Sequence, residues 1–355
     1  MTPRTPSVPP SAPRVRRGAR PLRGSVALVT GASRGAGRAI ALELAAAGAR
    51  VWVTARSTRE APSRTDVPGA LEDTAEAIVR EGGAAVAARC DHTNEAEVES
   101  LAARVAAEEG RLDVLVNNAW GGYEGYHEAR FDAPFWEQPT WRFDRMQAAG
   151  VRAAYLATRH FAPLMMRRRR GLIAFTTVWD RGHFLLNVPY DVAKAAIIRM
   201  AYGVALELRR FRVASVAVAP GFMRTEAVLA AFGTDEARWR EHTGLAASES
   251  PHYLGRALAA LAADRDVMAR SGGVFRVADL ARDYGVTDLD GTRPAPFEIP
   301  RDMLLDADGP PPAVVPPGLG LAARRRRAAR DAPGARPAGP RASARRPPRA
   351  VKRHR

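Results

Sequence analysis

The sequence predicts a doubly wound α/β fold, in which helices cover both faces of a parallel sheet. Two observations predict it. Residues 26–55 contain an apolar strand, a glycine-rich turn, a helix and a second strand, which together make a βαβ unit. The same alternation of strand-like and helical segments continues to about residue 277, and strands joined by helices of this length form a parallel sheet.

The elements follow in order from Ser25. The run VALVT predicts a buried strand, GASRGAG a tight turn, and AIALELAAAG a helix that ends at Gly48, before RVWVTA forms the second strand. Asn94 followed by Glu97 predicts a capped helix start. The remaining helices are predicted near residues 71–82, 94–109, 139–169, 190–210 and 251–263, and the remaining strands near 84–90, 113–117, 171–177, 212–218 and 273–277.

The pattern leaves room for one sheet, so a single domain is predicted from residue 24 to about residue 306. The chain has 355 residues, 46% of them hydrophobic, which is enough for a sizeable core. Residues 1–23 are rich in Pro and Arg, and residues 307–355 are rich in Pro, Gly, Ala and Arg. Neither end has hydrophobic periodicity, so both are predicted to be disordered.

The positive charge of the chain lies in these two ends. Residues 1–23 hold six Arg and no acid, and residues 307–355 hold thirteen Lys or Arg against two Asp. These two ends account for the whole formal charge of +16, so the body between them is near neutral. A near-neutral body argues against a nucleic-acid groove in the fold. The C-terminal tail has two interpretations: non-specific binding to nucleic acid or an anionic membrane through charge, or an unselected extension.

The single cysteine, Cys90, cannot form an intramolecular disulfide, which is typical of a cytoplasmic chain. No apolar run reaches the length of a membrane span, and the N-terminus lacks the apolar region of a signal peptide. A cytoplasmic location without membrane contact is therefore predicted. No metal site is predicted.

The turn from Thr30 to Gly37 predicts a phosphate site. Its glycines permit a tight turn and let a pyrophosphate approach backbone N–H groups at a helix N-terminus. The second strand ends at Ala55 and Arg56, where an acidic residue would have selected NAD. Arg56 and Arg34 could hold a 2′-phosphate instead, so NADP(H) is predicted in preference to NAD(H). The alternative is that both arginines are solvated surface residues.

Tyr190 and Lys194 lie four residues apart at the start of a helical stretch and therefore share one face. An ammonium group beside a phenol favours the phenolate, which would lower the tyrosine pKa and make it a general acid or base. Lys194 is the only lysine of the body, so this spacing is informative.

With these motifs the chain resembles the short-chain dehydrogenase/reductase family, whose members have a Rossmann-type fold. The resemblance covers residues 24 to about 280, and the segment around Asn187 is similar to the subgroup of the animal dehydrogenase/reductase member one. It rests on five motifs that occur in order: TGASRGAG, Asp91 after the third strand, Asn117-Asn118-Ala119, Tyr190-x-x-x-Lys194, and Pro220 to Thr225.

The resemblance implies roles for residues. Tyr190 would exchange a proton with the substrate, Lys194 would also hold the nicotinamide ribose, and Thr177, thirteen residues before Tyr190, would polarise the substrate oxygen. Asp91 would contact the adenine and Thr225 the nicotinamide carboxamide. The implied cofactor-binding residues are Thr30, Gly31, Ser33, Arg34, Gly35, Gly37, Arg56, Asp91, Asn117, Ala119, Tyr190, Lys194, Pro220, Gly221 and Thr225.

Two positions depart from the family pattern. Gln147 stands where the family has a catalytic Asn, so its amide is one methylene further from the backbone and the proton relay is in question. Trp120 replaces the Gly of the usual NNAG sequence and would reshape the pocket.

Residues 120–143 hold eight of the 24 aromatic residues of the chain. This segment follows a strand, and α/β sheets bind ligands at the carboxyl ends of their strands, so a bulky apolar carbonyl substrate is the hypothesis. The alternative is that the rings only pack a long connection. Trp120, Trp179 and His183 are the candidate pocket residues, and His183 is a possible second proton carrier.

The sequence therefore predicts an NADP-dependent oxidoreductase that interconverts a carbonyl and an alcohol. The alternative is a catalytically weak dinucleotide-binding sensor of the same fold, which Gln147 and Trp120 would favour. The resemblance also implies a homodimer or homotetramer, with the helices near 139–169 and 190–210 at its interface.

Overall fold

The computed structural model describes residues 20–62, 67–126, 128–178 and 183–298. Seven strands form one sheet in the order β3-β2-β1-β4-β5-β6-β7, and each neighbouring pair is parallel. The strands are β1 Val26–Thr30, β2 Arg50–Ala55, β3 Ala84–Arg89, β4 Val114–Asn117, β5 Gly171–Thr176, β6 Val213–Ala219 and β7 Val274–Arg276.

Helices cover both faces of the sheet. They are α1 Gly35–Ala46, α2 Leu71–Arg80, α3 Glu95–Glu109, α4 Thr140–Met146, α5 Ala153–Arg168, α6 Val188–Leu208, α7 Glu226–Ala231, α8 Pro251–Ala263 and α9 Val277–Tyr284. One apolar core joins α1, α2, α8 and α9 to the sheet, and a second joins α3, α5 and α6 to the opposite face. The predicted doubly wound, Rossmann-type fold is confirmed.

The central strands have the composition that a sheet buried on both faces requires. Every residue of VALVT in β1 and of VASVAVA in β6 is buried. Continuous apolar runs of this kind, in contrast to an alternation of apolar and polar residues, are typical of parallel sheets under two helical layers. The sequence pattern and the observed layers therefore agree.

The predicted strands and helices are present with boundaries shifted by a few residues. The exception is the long helix predicted over 139–169, which is divided into α4, a π-helical segment Gln147–Arg152, and α5. Such π segments are rare and are frequently found at functional sites. The short helices α7 and α9 were not predicted.

The predicted start of the body at residue 24 is too late. Leu22 is buried, and its N–H donates to the carbonyl of Ala47 over 2.9 Å, so residues 20–23 form a turn packed under α1. An isolated Leu in a Pro/Arg-rich stretch carries no periodicity, which is why the pattern missed it. The remainder of the predicted leader, residues 1–19, and residues 299–355 lie outside the described residues.

The order in which strands are added to the sheet changes side between β1 and β4. From β1 the chain proceeds to β2 and β3 on one side, then returns to place β4 on the other side. The crevice beyond the carboxyl ends of the strands at such a switch point is the usual ligand site of open α/β sheets. The segments that carry the sequence motifs follow β1, β2, β4, β5 and β6 at this edge.

Candidate active site

The glycine-rich turn after β1 is packed against the end of β4. The Thr30 hydroxyl accepts the N–H groups of Asn118 and Ala119, each over 2.9 Å. Gly31 has φ +67°, and a Cβ there would lie 2.8 Å from the Cα of Ala119. A Cβ on Gly37 would lie 2.2 Å from the carbonyl oxygen of Gly31. Glycine is therefore required at both positions, and Ser33 is buried within the same turn.

The N-terminus of α1 already accepts an anionic group from this chain. The helix has no side-chain cap, and the N–H of Gly35 donates to the Glu226 carboxylate over 3.0 Å. Thr225 caps α7 through its hydroxyl, and its methyl carbon would lie 3.8 Å from a Cβ on Gly35. The segment from Pro220 to Thr225 thus reaches the glycine-rich turn, and the turn accommodates negative charge.

Arg56 directly follows β2, and the guanidinium of Arg34, from the turn after β1, reaches the same place. Arg34 donates to the Ser57 hydroxyl over 2.8 Å and to the carbonyl of Val67 over 2.6 Å. Arg56 forms an ion pair with Glu124, which belongs to the segment after β4. The two guanidinium groups therefore flank Ser57, and the β4 segment crosses the edge of the sheet to reach one of them.

Asp91 lies near Arg56 at the end of β3. Burial by itself would raise the pKa of Asp91, but hydrogen bonds from the Thr93 hydroxyl and N–H, with Arg56 nearby, hold the pKa below its ordinary value. The carboxylate is therefore ionised and fixed in a tight turn.

Tyr190 and Lys194 lie on one buried face of α6. Asn187 caps this helix by accepting the N–H of Tyr190 over 3.0 Å. The Tyr190 hydroxyl lies 3.3 Å from the Tyr123 hydroxyl, and Lys194 Nζ lies 3.5 Å from the centre of the Trp120 ring. The predicted pairing on one face is present, but each side chain has an aromatic neighbour that the spacing did not predict.

The expected lowering of the tyrosine pKa by Lys194 is wrong for this arrangement. Burial and the adjacent Tyr123 hold the pKa of Tyr190 well above its ordinary value. Burial also lowers the pKa of Lys194 to about 7, so the lysine is only partly charged at neutral pH. Lys194 Nζ lies 3.5 Å from the centre of the Trp120 ring and 5.3 Å from that of the Tyr190 ring.

The two remaining candidate catalytic residues lie near this pair. Thr177 is buried after β5, and its hydroxyl donates to the Lys194 carbonyl over 3.4 Å. Gln147 begins the π segment, and its buried side-chain nitrogen has no hydrogen-bond partner among the described residues. Neither side chain is in hydrogen-bond contact with the Tyr190 hydroxyl in this arrangement.

Trp120 fits a slot made by two glycines. A Cβ on Gly150 in the π segment, or on Gly122, would lie 2.5 Å from its ring. Beside the ring is a cavity of about 10 Å³, which is the room of one water molecule. Asn117 lines the cavity, and its buried side-chain oxygen has no partner among the described residues. The Trp120 ring therefore fills the space between these two glycines and borders the cavity.

Three rings of the aromatic segment surround Tyr190. Trp120, Tyr123 and Phe131 lie with ring centres 5.7, 6.4 and 5.8 Å from that of Tyr190. The other aromatic residues of the segment do not contact Tyr190, and Phe135 and Trp136 are exposed. Packing of a long connection thus accounts for part of the aromatic segment, and the wall of the site accounts for the rest.

The structure gives fewer contacts for the other predicted site residues. Pro220 and Gly221 follow β6, and a Cβ on Gly221 would lie 3.0 Å from the Glu249 carboxylate. His183 is half-buried in the segment before α6, and Trp179 lies outside the described residues. Within the described ranges no helix is long and apolar enough to cross a membrane.

The sequence reasoning missed several residues at this edge. Tyr123, Glu124 and Glu226 all contact predicted site residues, and Arg142 supports the aromatic segment from a buried position. The clustering of aromatic residues pointed to the neighbourhood of Tyr123. Nothing in the local sequence indicated the partners of the two glutamates, because those partners are 68 and 191 residues away.

A family model and several curated proteins match this chain. The family model described as short chain dehydrogenase matches residues 25–235. The chain is similar to "Dehydrogenase/reductase SDR family member 1" of Mus musculus, with 39% identity over 277 residues that cover 76% of this chain and 85% of the relative. The Homo sapiens protein of the same name is 37% identical and covers 77% of this chain, with 86% of its own length matched. An Arabidopsis thaliana "NADPH-dependent pterin aldehyde reductase" is 31% identical over 58% of this chain and 78% of its own length.

Solved structures give the same result. A hydroxysteroid dehydrogenase from Escherichia coli matches with TM-score 0.59 and 28% identity, and covers 73% of this chain and 98% of its own. A metagenomic short-chain oxidoreductase in complex with NADP matches with TM-score 0.55 and 29% identity, and covers 72% of this chain and 96% of its own.

Proposed function

Because the chain belongs to the short-chain dehydrogenase/reductase family and is an oxidoreductase of alcohol and carbonyl groups, we propose that it uses NADP(H) and acts on a bulky apolar substrate. Tyr190 is the acid or base of the proposed reaction. The observation that carries the proposal is the position of Tyr190 and Lys194 on α6, inside an aromatic wall at the ligand-binding edge of the sheet.

The residues at this edge fit a dinucleotide. The N-terminus of α1 accepts the Glu226 carboxylate, so it can hold a pyrophosphate of the same charge sign. Asn117, Ala119 and Thr225 belong to segments that reach the glycine-rich turn. Asp91 lies near Arg56 after β3, and we assign all four residues to cofactor binding with the turn itself. When bound, the nicotinamide would supply or accept the hydride.

A preference for NADP(H) rests on Arg34 and Arg56. Arg56 follows β2 directly, and Arg34 reaches Ser57 from the turn after β1. Ala55 leaves no carboxylate there for a ribose hydroxyl. Two charge-assisted bonds, each worth about 1.5–3 kcal/mol, would favour the 2′-phosphate by roughly 100-fold or more. The NADP complex of one structural neighbour and the NADPH dependence of one relative support this assignment.

Tyr190 carries the proton in the proposed reaction. Because burial keeps its pKa high, the phenol is protonated at neutral pH and can donate to a carbonyl oxygen as the carbonyl carbon accepts a hydride. Lys194 is assigned to tuning the phenol and holding the ribose. Thr177 and Gln147 are the remaining candidates for orienting the substrate oxygen and completing the proton path.

Trp120, Tyr123 and Phe131 are the basis for a bulky apolar substrate, since aromatic walls bind such groups. Trp179 and His183 remain candidates for the same pocket. We place the reaction in the cytoplasm. We also propose a homodimer or homotetramer, because Tyr155 on α5 and Leu206 on α6 expose large apolar side chains on the helices predicted to form the interface.

The test is oxidation of NADPH and of NADH by the full chain with aliphatic, aromatic and polycyclic carbonyls, beside Tyr190→Phe. We expect turnover with NADPH that falls by at least 100-fold in the variant, while NADPH binding is retained. NADPH binding without turnover on any carbonyl would favour the dinucleotide-binding sensor. That alternative draws on the Gln147 side-chain nitrogen, which has no partner among the described residues, and on Trp120 beside Lys194. Absence of NADPH binding would refute the cofactor assignment.

A further inference from the structure

The Tyr190 hydroxyl has a second phenolic hydroxyl beside it. The Tyr123 oxygen lies 3.3 Å from the Tyr190 oxygen, and the two ring planes are inclined by 28°. Tyr190 is 4% exposed, whereas Tyr123 is 53% exposed. Tyr123 is thus partly at the surface while its hydroxyl is buried against that of Tyr190, so a substrate oxygen that reaches the Tyr190 hydroxyl comes next to the Tyr123 hydroxyl.

Thr177 does not direct its hydroxyl to the same place. It donates to the Lys194 carbonyl over 3.4 Å, on the backbone of α6, and the residue is 3% exposed. The side chain that the family resemblance assigned to the substrate oxygen is thus engaged elsewhere. Among the hydroxyl groups of the described residues, that of Tyr123 is the one in contact with Tyr190.

Two hydroxyls at this separation can share one acceptor. Hydrogen bonds between oxygen atoms are about 2.7–2.8 Å long, and an oxygen at that distance from both phenols fits the observed 3.3 Å separation. Two donors on one oxygen form the arrangement that stabilises a developing negative charge. A carbonyl oxygen that lies beside the pair can therefore accept from both the Tyr123 and the Tyr190 hydroxyl.

The segment that carries Tyr123 is fixed to α6 and α4. Asn187, the cap of α6, donates to the carbonyl of Phe131 over 2.7 Å. The guanidinium of Arg142, which is 1% exposed, donates to the carbonyls of Ala129 and Arg130 over 2.7 and 2.9 Å. The ring of Phe131 contacts those of both Tyr123 and Tyr190. The backbone at residues 129–131 is thus fixed, and the Phe131 ring that it carries packs on the Tyr123 ring.

We propose that Tyr123 is a further catalytic residue that donates a hydrogen bond to the substrate oxygen, in the role assigned by resemblance to Thr177. The inference rests on the proposed function. In the reducing direction the carbonyl carbon gains the hydride that NADPH supplies, its oxygen takes the proton of Tyr190, and Tyr190 is left as a phenolate. Tyr123 keeps its own proton and stabilises the charge that develops on the oxygen.

Tyr123→Phe tests this inference because it removes the hydroxyl and keeps the ring. We expect kcat/KM for a responding carbonyl to fall by roughly 100- to 1,000-fold, mainly through kcat, as for the loss of one donor to an oxyanion. NADPH affinity should not change.

Tyr126→Phe is the matched control. Tyr126 belongs to the same segment and packs on Phe131, with ring centres 5.2 Å apart, but it has no ring contact with Tyr190. Its variant should retain wild-type kcat/KM. Thr177→Val, which replaces the hydroxyl by a methyl group, should cost less than about tenfold, since a donor that faces α6 is not aimed at the oxyanion.

Each result decides between the assignments. Tyr123→Phe within about threefold of wild type overturns the role of Tyr123, and a loss of about 100-fold or more in Thr177→Val would return that role to Thr177. A wild-type protein that binds NADPH and reduces no carbonyl overturns the proposed function and the role of Tyr123 together. The two failures are therefore distinguishable.

Discussion

Lys194 should lose its proton near neutral pH in the folded protein. Burial lowers its pKa from 10.5 to about 7. The chain has only one other lysine, Lys352, so a protein labelled with ¹³C at lysine Cε gives two side-chain resonances, and Lys194→Met assigns them. We expect one resonance to titrate with a midpoint near 7 in the folded state.

The Trp120 ring raises the pKa of Lys194, in opposition to the effect of burial. The ring centre lies 3.5 Å from Nζ and stabilises the ammonium. A desolvated cation–π contact is worth about 1–2 kcal/mol, or roughly one pKa unit. Trp120→Leu keeps the surroundings apolar and should therefore lower the midpoint by about one unit. A matched control is Phe135→Leu, which removes an exposed ring of the same segment and should leave the midpoint unchanged.

The shift also makes stability depend on pH. Below pH 7 the lysine is protonated in both states, and the folded state bears the full cost of burying the charge. As the pH rises above 7, the folded state releases the proton first, so stability increases until the unfolded lysine titrates near 10.5. From pH 6 to pH 9, wild type should gain about 2–3 kcal/mol in free energy of unfolding relative to Lys194→Met.

Urea unfolding of wild type and Lys194→Met at several pH values measures this difference. Because both proteins share every other titrating group, subtraction isolates Lys194. A difference that stays constant within about 0.5 kcal/mol over the range would refute the reasoning from burial. So would a Lys194 resonance that titrates near 10.5 in the folded protein.

Three further predictions concern the same edge of the sheet and the helices beside it. Gly150→Ala places a methyl group 2.5 Å from the Trp120 ring, so it should lower the free energy of unfolding by about 1–3 kcal/mol in urea unfolding. Adding Trp120→Leu should recover most of that loss. A loss that persists in the double variant would show that the helix itself, and not the contact with Trp120, bears the cost. Glu124→Gln frees Arg56 from its ion pair. In fluorescence titration we expect NADPH to bind several-fold more tightly, with a smaller change in the affinity for NADH. Equal changes in both affinities would argue against Arg56 as the 2′-phosphate ligand. Leu206→Glu adds a charge to the proposed interface and should reduce the molar mass in light scattering, and a mass equal to that of wild type would remove this face from the interface.

The sequence determined the fold and the identity of the main candidate residues. Apolar runs such as VALVT and VASVAVA, separated by helical segments, can be buried only in a sheet with helices on both faces, and the structure has that sheet. Local spacing also placed Tyr190 and Lys194 on one face of a helix. These features depend on periodicity along a few turns, which the sequence displays directly.

Tertiary structure decided what those residues contact. The ring of Trp120 lies over Lys194, the hydroxyl of Tyr123 lies beside that of Tyr190, and Glu124 pairs with Arg56 across the edge of the sheet. Trp120 and Lys194 are 74 residues apart along the chain, and Tyr123 and Tyr190 are 67 residues apart. Their meeting depends on the path of the segment after β4, and this path has no periodic signature.

The pKa of Tyr190 shows the physical reason most clearly. Spacing alone favoured a lowered value, because it counted the charge of Lys194 and could not count the water that burial removes. In the folded chain both groups are desolvated, so the pKa of the lysine falls, that of the tyrosine rises, and the expected attraction is weakened. The sequence by itself determined which groups meet on the helix, and only the tertiary structure decided their solvation.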